Sequence, residues 1–180
     1  MSSLTAKDDP LKAQSEDLPA DAAWAAALLA VDPVGLGGAC LRAAPGPWRE
    51  AWLARLQALL PAGTAWRRMP AGISDSALLG GLDLAATLSR GEPVLQPGLL
   101  SQAHGGVLLL TMAERTSADL AGKLAAVLDS RALQLQREGL AQRLDLDLCL
   151  IALDEGEDDE GLPAALQDRL ARGDARLDFD

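Results

Sequence analysis

The chain has 180 residues, 49% of them hydrophobic, which is enough to bury one sizeable core. Its formal net charge of -10 would repel the phosphate backbone of a nucleic acid and the surface of an anionic membrane. No apolar run reaches the roughly 18 to 20 residues that a membrane span needs, and the polar start has no signal-peptide core. Composition therefore predicts a cytoplasmic protein that binds no nucleic acid.

The first 20 residues differ in composition from the rest. Residues 1–20 mix Ser, Asp, Lys and Pro with few large apolar side chains, which is typical of a flexible arm. Residues 21–180 carry the apolar periodicity of folded segments, and we expect them to form a single domain.

Apolar periodicity divides this domain into strands that alternate with helices. The predicted strands cover residues 39–42, 64–69, 107–110, 149–153 and 176–179. Helices are predicted over residues 21–31, 47–60, 84–88 and 163–170, with a further helix that opens at Thr116. Residues 133–136 and 141–144 flank Glu138-Gly139 and predict a hairpin. Such alternation predicts a mainly parallel sheet covered by helices on both faces.

Two helix starts carry specific predictions. Asp21 should cap the first helix, which would pack through Trp24 and Leu28 at positions i and i+4. The segment from Thr116 to Asp119 resembles a capping box, in which two side chains satisfy free N–H groups at a helix start.

Three residues that often bind metals or form cross-links are isolated in this sequence. Cys40 and Cys149 lie in apolar runs, so two buried thiols are favoured over a disulfide or a metal pair. His104 is the single histidine, and we expect it to have a structural role at a strand entrance. No metal site is expected, because metal sites need clustered ligands.

The loop after the first strand, residues 43–50, lacks the groups that bind a nucleotide. A phosphate-binding loop needs glycines for close backbone approach, a lysine for the outer phosphates and a hydroxyl for magnesium. Here prolines remove N–H donors, Trp48 fills the space that a glycine would leave open, and Glu50 adds negative charge. A structural loop is favoured over an unusual nucleotide loop that uses Gly46 and Arg49.

A second requirement for ATP hydrolysis is also missing. The strand over residues 107–110 ends in Thr111 and Met112, where one carboxylate would hold magnesium and another would polarise water. Neither side chain can do either. Glu114 has no neighbouring acid, so a surface or capping residue is favoured over a surviving catalytic base.

The acidic stretch at residues 154–160 contains only acidic side chains and one glycine. Clustered carboxylates suit hard cations, so weak cation association is one interpretation. A flexible, self-repelling loop is favoured, because such runs are usually solvated.

Five segments together resemble the AAA+ subunits of magnesium chelatase in their order and spacing. They are Gly80-Gly-Leu-Asp-Leu84, Gly91-Glu-Pro-Val-Leu-Gln-Pro-Gly-Leu-Leu100, Ala103-His-Gly-Gly-Val-Leu108, Arg137-Glu-Gly-Leu140 and Asp168-Arg-Leu170. The resemblance covers roughly residues 21–180. Trp48-Arg49-Glu50 and Thr111-Met112 stand where the ATP motifs of the family would be, and they lack the residues of those motifs. The chain therefore resembles the D-subunit branch of the family, whose ATP motifs are degenerate, more than the I-subunit branch.

The resemblance implies a fold: an AAA+ P-loop-type three-layer α/β/α sandwich with a central, mainly parallel sheet. It also implies a helical insertion at about residues 78–100 and a β-hairpin, while the helical lid of the family is absent from this chain. The insertion's Leu79, Leu82, Leu84 and Leu88 either contact other subunits or pack against the domain's own sheet.

The resemblance further implies a non-catalytic module of an ATP-dependent ligase that forms nitrogen–metal bonds. Such a module assembles with the ATPase I subunit in a ring, and the porphyrin-binding H subunit inserts Mg²⁺ into protoporphyrin IX for bacteriochlorophyll synthesis. The complex uses ATP and Mg²⁺, whereas this domain is expected to bind no cofactor. A weak ATP-binding ATPase with an unconventional phosphate loop, and a D-like subunit of a cobalt chelatase, are the alternatives.

Two residues acquire roles only through the resemblance. Arg169 falls on the arginine that the family places at the subunit boundary, where a guanidinium can reach a neighbour's γ-phosphate. The alternative is a simple ion pair with Asp168 or Asp174. Asp154 lies where the family has a sensor asparagine, and this exchange argues further against local hydrolysis.

Overall fold

The computed structural model describes residues 18–92, 94–137, 140–157, 159–170 and 176–178. Most of the predicted arm, residues 1–17, lies outside this part of the chain. The last residues of that predicted arm belong to the domain, since Leu18 is buried and Ala20 begins the first helix.

The predicted alternation of strands and helices is confirmed. The helices are α1 (Ala20–Val31), α2 (Pro47–Leu59), α3 (Asp75–Leu79), α4 (Leu84–Arg90), α5 (Leu99–Gln102), α6 (Ala118–Ser130) and α7 (Ala164–Leu170). The strands are β1 (Gly38–Arg42), β2 (Trp66–Pro70), β3 (Gly80–Leu82), β4 (Leu95–Pro97), β5 (Gly106–Thr111), β6 (Ala132–Arg137), β7 (Leu140–Asp145), β8 (Leu148–Asp154) and β9 (Arg176–Asp178). A 3₁₀ turn, Ala113–Arg115, follows β5. Phe179, predicted to end the last strand, lies outside the described residues.

A five-stranded parallel sheet forms the centre of the domain, in the order β2-β5-β8-β1-β9. Every residue of β8 is buried, and so is every residue of β5 except Thr111. Such uniformly apolar strands are typical of a parallel sheet that is covered on both faces, because neither face meets water.

Helices cover the two faces of the sheet with separate hydrophobic clusters. On one face, α1 and α2 pack against alternate residues of the strands, and the indole Nε1 of Trp52 donates 2.8 Å to the carbonyl oxygen of Ala22. On the other face, α6, α7 and parts of α3 and α5 pack against the intervening strand residues. This is the predicted three-layer α/β/α sandwich.

The predicted helical insertion comprises α3 to α5, with β3 and β4 paired antiparallel. Leu78 and Leu100 anchor it in the core with no exposed surface. Leu79 packs partly against the core, whereas Leu88 is 84% exposed. The alternative that these leucines pack against the domain's own sheet is therefore wrong for Leu88. The side chain of Leu84 lies outside the described part.

The predicted hairpin, β6–β7, is confirmed by antiparallel pairing from Ala132↔Asp145 to Arg137↔Leu140. Its turn, Glu138-Gly139, lies outside the described residues. Among the described residues, none of the helices is both long and apolar enough to cross a bilayer.

The predicted face and cap of α1 are wrong. Trp24 and Leu28 are 68% and 58% exposed, and the helix buries its small face instead, with Ala22, Ala26 and Leu29 at positions i, i+4 and i+7. Alanines let the backbone of α1 approach α2 closely enough for the Trp52 hydrogen bond. The cap residue is Pro19, so Asp21 lies within the first turn, where its negative charge suits the helix dipole.

The predicted capping box at α6 is displaced by one residue. Ser117 caps the helix, and its hydroxyl accepts a hydrogen bond of 3.2 Å from the backbone N–H of Leu120. Thr116 lies one position earlier and is buried, and its hydroxyl oxygen has no partner among the residues that the structure describes.

Candidate functional site

The carboxyl ends of three adjacent strands, β5, β8 and β1, meet at one edge of the sheet. Ligands of open parallel sheets bind at such an edge, and a nucleotide would sit here. The segments that follow these strands contribute Glu114 from the 3₁₀ turn after β5, Glu155 from the loop after β8, and Arg49 from the first turn of α2. The side chains of Arg49 and Glu155 pair with each other, and the side chain of Glu114 contacts the backbone of Glu155.

Arg49 lies inside this edge with 7% of its surface exposed. Its Nη1 donates to Glu155 Oε1 at 2.7 Å and to the carbonyl oxygen of Ala43 at 3.3 Å. Within the described part of the chain, the buried Nε of Arg49 has no hydrogen-bond partner. The guanidinium group therefore spans the loop after β1 and the loop after β8.

Glu155 continues this connection to the third loop. Its backbone N–H donates 3.0 Å to Oε2 of Glu114, and Arg115 Nε lies 3.5 Å from Glu114 Oε1. The side chain of Glu114 is only 4% exposed. The expectation of a surface or capping residue is therefore wrong, because the Glu114 side chain is buried and the N–H that it satisfies follows strand β8 and lies at no helix start.

Asp154 is the last residue of β8 and is 3% exposed. Its Oδ1 accepts from the N–H of Gly156 at 3.0 Å, and its Oδ2 accepts from the N–H of Leu162 at 3.2 Å. The prediction that Asp154 begins a flexible acidic loop is wrong. Both oxygens of its carboxylate accept hydrogen bonds from backbone N–H groups, and these bonds hold the turn that follows the strand.

The two residues at the end of β5 take no part in these contacts. Thr111 Oγ1 donates to the carbonyl oxygen of Met69 at 3.4 Å. Met112 adopts a left-handed conformation, with φ 53° and ψ 52°, and is 38% exposed. This sharp turn starts the 3₁₀ segment that brings Glu114 under the loop after β8.

An open acidic cleft of about 860 Å³ adjoins the edge. Its lining residues come from the loops after β5 and β8, and they are Met112, Glu114, Arg115, Glu155, Glu157, Asp159 and Glu160. Among the described residues, no group of three or more His, Cys, Asp or Glu side chains is placed to hold a metal ion.

The residues at the edge do not fit a nucleoside triphosphate. Pro47 has no N–H at the first turn of α2, and Gly46 is the cap residue in an extended conformation. The only buried cation nearby among the described residues, Arg49, is already paired with Glu155, which any phosphate would have to displace. Trp48 and Glu50 are exposed on α2 and supply neither a magnesium ligand nor a hydroxyl.

Arg169 lies on α7 and is bound to α6. Its Nε donates to Asp129 Oδ1 at 3.0 Å, its Nη2 donates to Asp129 Oδ2, and its Nη1 donates to the carbonyl oxygen of Ala165 at 2.7 Å. The hydrogen bond with Asp129 raises the pKa of the guanidinium. The alternative ion pair with Asp168 is wrong, because Arg169 pairs with Asp129. Asp174 lies outside the described residues.

Asp129 and Arg169 lie far from the edge of the sheet that is formed by the carboxyl ends of the strands, where a nucleotide would bind. In a parallel sheet, helices return antiparallel to the strands, so α6 and α7 start near the carboxyl ends of strands and finish at the opposite edge. The 13 residues of α6 span roughly 20 Å at 1.5 Å per residue. Arg169 therefore lies at the opposite edge from Arg49 and Glu155.

The isolated cysteines and histidine agree with their predicted roles. Cys40 and Cys149 are buried thiols that form no disulfide among the described residues, and they belong to the hydrophobic clusters on opposite faces of the sheet. Burial raises the pKa of Cys149 to about 12. His104 Nδ1 accepts from the N–H of Asp147 at 3.2 Å, which ties the entrance of β5 to that of β8.

Comparison with known proteins shows which proteins this chain resembles. No family model matches the chain. It is 46% identical over 147 residues to the magnesium-chelatase 60 kDa subunit of Rhodobacter capsulatus and 49% identical over 146 residues to that of Cereibacter sphaeroides. The chain is homologous to the magnesium-chelatase 60 kDa subunits. The matches cover 81% and 80% of this chain but only 23% and 22% of those relatives.

A solved structure independently supports the fold of this 60 kDa-subunit homologue. A chain of the cryo-EM complex between the BchI and BchD subunits of magnesium chelatase superposes with a TM-score of 0.72 at 24% identity. The match covers 93% of this chain and 60% of that one. This agreement confirms the predicted three-layer α/β/α architecture with its central parallel sheet.

Sequence reasoning missed two residues of these sites. Glu155 was grouped with a solvated acidic run, although its position directly after β8, beside β1, is a signal that could have paired it with Arg49. Asp129 carries no comparable signal, because it lies 40 positions from Arg169 and meets it only through helix packing.

Proposed function

We propose that this chain is a non-catalytic AAA+ module of a magnesium chelatase D-type subunit. It assembles with the ATPase I subunit in a ring, and the H subunit of the same enzyme inserts Mg²⁺, as substrate, into protoporphyrin IX. The ring consumes ATP, whereas this module neither binds nor hydrolyses it. The homology to the 60 kDa subunits supports the assignment to this enzyme.

The Arg49–Glu155 ion pair is the observation that carries the non-catalytic role. In an ATPase, a cation at this edge meets the phosphates, and nearby carboxylates meet magnesium and water. Here the cation meets a carboxylate of its own chain at 2.7 Å, and the buried Glu114 accepts from the next loop. The module thus joins three loops with its own side chains where nucleotide contacts would otherwise join them.

Arg169 provides the proposed contribution to a neighbouring subunit. It lies at the edge opposite to Arg49, so it cannot serve a nucleotide in its own module. Its side chain is 30% exposed, which leaves the guanidinium accessible from outside the domain. We expect this cation to offset the charge that develops on a γ-phosphate bound by an adjacent I subunit.

The test combines the isolated chain with the assembled enzyme. Calorimetric titration of the chain with Mg-ATP should give no saturable heat, and the chain alone should show no ATP turnover. With an I subunit it should co-elute and raise ATP turnover, and Arg169→Ala should remove this increase without preventing co-elution.

Three results would contradict the proposal in different ways. Saturable ATP binding that Arg49→Ala abolishes would favour the weak ATPase. Failure to co-elute with the I subunit would remove the assembly role. If the full-length subunit, combined with its partners, supports cobalt insertion but not magnesium insertion, the subunit belongs to a cobalt chelatase.

A further inference from the structure

Asp129 holds Arg169 through a two-point contact across two helices. Nε and Nη2 of Arg169 both donate to the carboxylate of Asp129, and Nη1 donates to the carbonyl oxygen of Ala165, one turn earlier in α7. A two-point contact fixes the plane of a guanidinium group, whereas a one-point contact leaves it free to rotate. The arginine is therefore held in one orientation before any partner arrives.

The contact leaves part of the guanidinium group available. Arginine carries five N–H donors, and the three contacts use one donor on each of Nε, Nη1 and Nη2. Among the described residues, no partner takes the second donor of Nη1 or of Nη2, and both lie at the end of a side chain that is 30% exposed. Two adjacent donors at the tip suit two oxygens of one phosphate group.

We propose that Asp129 is the positioning residue for Arg169: it presents the Nη1 and Nη2 tip of the guanidinium to a phosphate on the adjacent subunit. This inference rests on the proposed trans-acting role of Arg169. Asp129 itself touches no nucleotide, and it acts by restricting the rotation and extension of a long, flexible side chain. A misoriented cation loses much of its effect on the transition state, because this effect depends on prior placement.

The experiment uses the full-length subunit with its ATP-binding I partner and measures steady-state ATP turnover. Asp129→Asn keeps the size of the side chain but places an amide donor against the N–H donors of Arg169. We expect it to lower the kcat of the subunit-dependent turnover by about tenfold, with the KM for ATP and the affinity between subunits unchanged. Asp129→Glu keeps the carboxylate and should restore part of the loss.

Asp75→Asn is the matched control. Asp75 forms an exposed ion pair with Lys123 that also joins two helices, and neither residue lies in the proposed machinery. Its removal should leave kcat unchanged. The double variant Asp129→Asn/Arg169→Ala should match Arg169→Ala alone, because Asp129 acts only through the arginine.

The outcomes separate this inference from the proposed function. If Arg169→Ala removes the turnover increase but Asp129→Asn behaves as wild type, the positioning role is overturned and the trans-acting arginine stands. A rise in kcat for Asp129→Asn would mean that Asp129 sequesters the arginine, which overturns the inference. An Asp129→Asn loss confined to subunit affinity or thermal stability would show a structural role instead. If Arg169→Ala is itself silent, both roles fail, and co-elution alone decides the assembly.

Discussion

At the scale of single residues, an ion pair and a backbone contact within the chain join the segments at the carboxyl edge of the sheet. A buried guanidinium group without a counter-charge would be strongly destabilising, because its desolvation would be uncompensated. Glu155 supplies that counter-charge to Arg49, and Glu114 anchors the backbone of Glu155. The buried guanidinium group is thus compensated by contacts within the chain.

Removal of one member of this pair should leave the other without its partner, so the effects of the two removals on stability should not be additive. Arg49→Met leaves Glu155 without its cation and should lower the free energy of unfolding by about 2 to 3 kcal/mol, and Glu155→Gln should cost at least as much. The double variant should cost less than the sum, with a coupling of about 1 kcal/mol or more.

Urea denaturation of the four proteins measures this coupling. Lys123→Met is the control, because Lys123 forms exposed ion pairs that should contribute less than about 1 kcal/mol. Additive effects of Arg49→Met and Glu155→Gln would show that the pair contributes nothing as a pair.

At the scale of elements, helix starts and helix faces were the least predictable features. The sequence places a Thr, a Ser and an Asp near the start of α6, and the capping-box pattern predicts Thr116 as the cap. Packing decides between them: Thr116 is buried against the domain, so Ser117 becomes the cap. In α1, likewise, the small residues face inward because α2 already supplies a bulky Trp52.

Adjacent substitutions at the start of α6 should have opposite consequences. Ser117→Ala removes the acceptor for the N–H of Leu120 and should destabilise the protein by about 1 kcal/mol. Thr116→Val replaces a buried hydroxyl that has no partner with a methyl group of similar size, so stability should stay equal or rise.

Thermal denaturation of both variants checks this assignment of the cap. If Thr116→Val were the more destabilising of the two, the cap would lie at Thr116, as the capping-box pattern predicts.

At the scale of the whole molecule, stability comes from a sheet buried on both faces, with uniformly apolar strands at its centre. Cys149 lies in the middle strand and is 1% exposed, so its thiol is protonated well beyond the pH at which an unfolded chain would lose the proton. The fold therefore acquires a pH dependence from a group that takes part in no reaction.

The sign of this dependence follows from the raised pKa. Below pH 9.0, the ordinary pKa of the thiol, folded and unfolded chains are both protonated and the contribution of Cys149 is fully present. As the pH rises from there towards about 12, only the unfolded chain releases the proton, so stability falls. The expected slope is about 1.4 kcal/mol per pH unit for this one group.

Urea unfolding at pH 8, 9, 10 and 11 should show this fall in the wild-type chain and a smaller one in Cys149→Ala. The variant removes the thiol but keeps the other titrating groups, so the difference between the two slopes isolates Cys149. Parallel curves for the two proteins would contradict the burial of the thiol.

The sequence by itself determined the order of strands and helices, the buried parallel sheet and the absence of conventional ATP groups at Trp48, Thr111 and Met112. These features depend on local composition and periodicity, which are complete within short segments of chain. The tertiary structure alone decided that Glu155 pairs with Arg49, that Asp129 holds Arg169 and that α1 exposes Trp24. Each of these depends on contacts between segments far apart in sequence, and such contacts exist only after the sheet has brought strand ends and helix faces together.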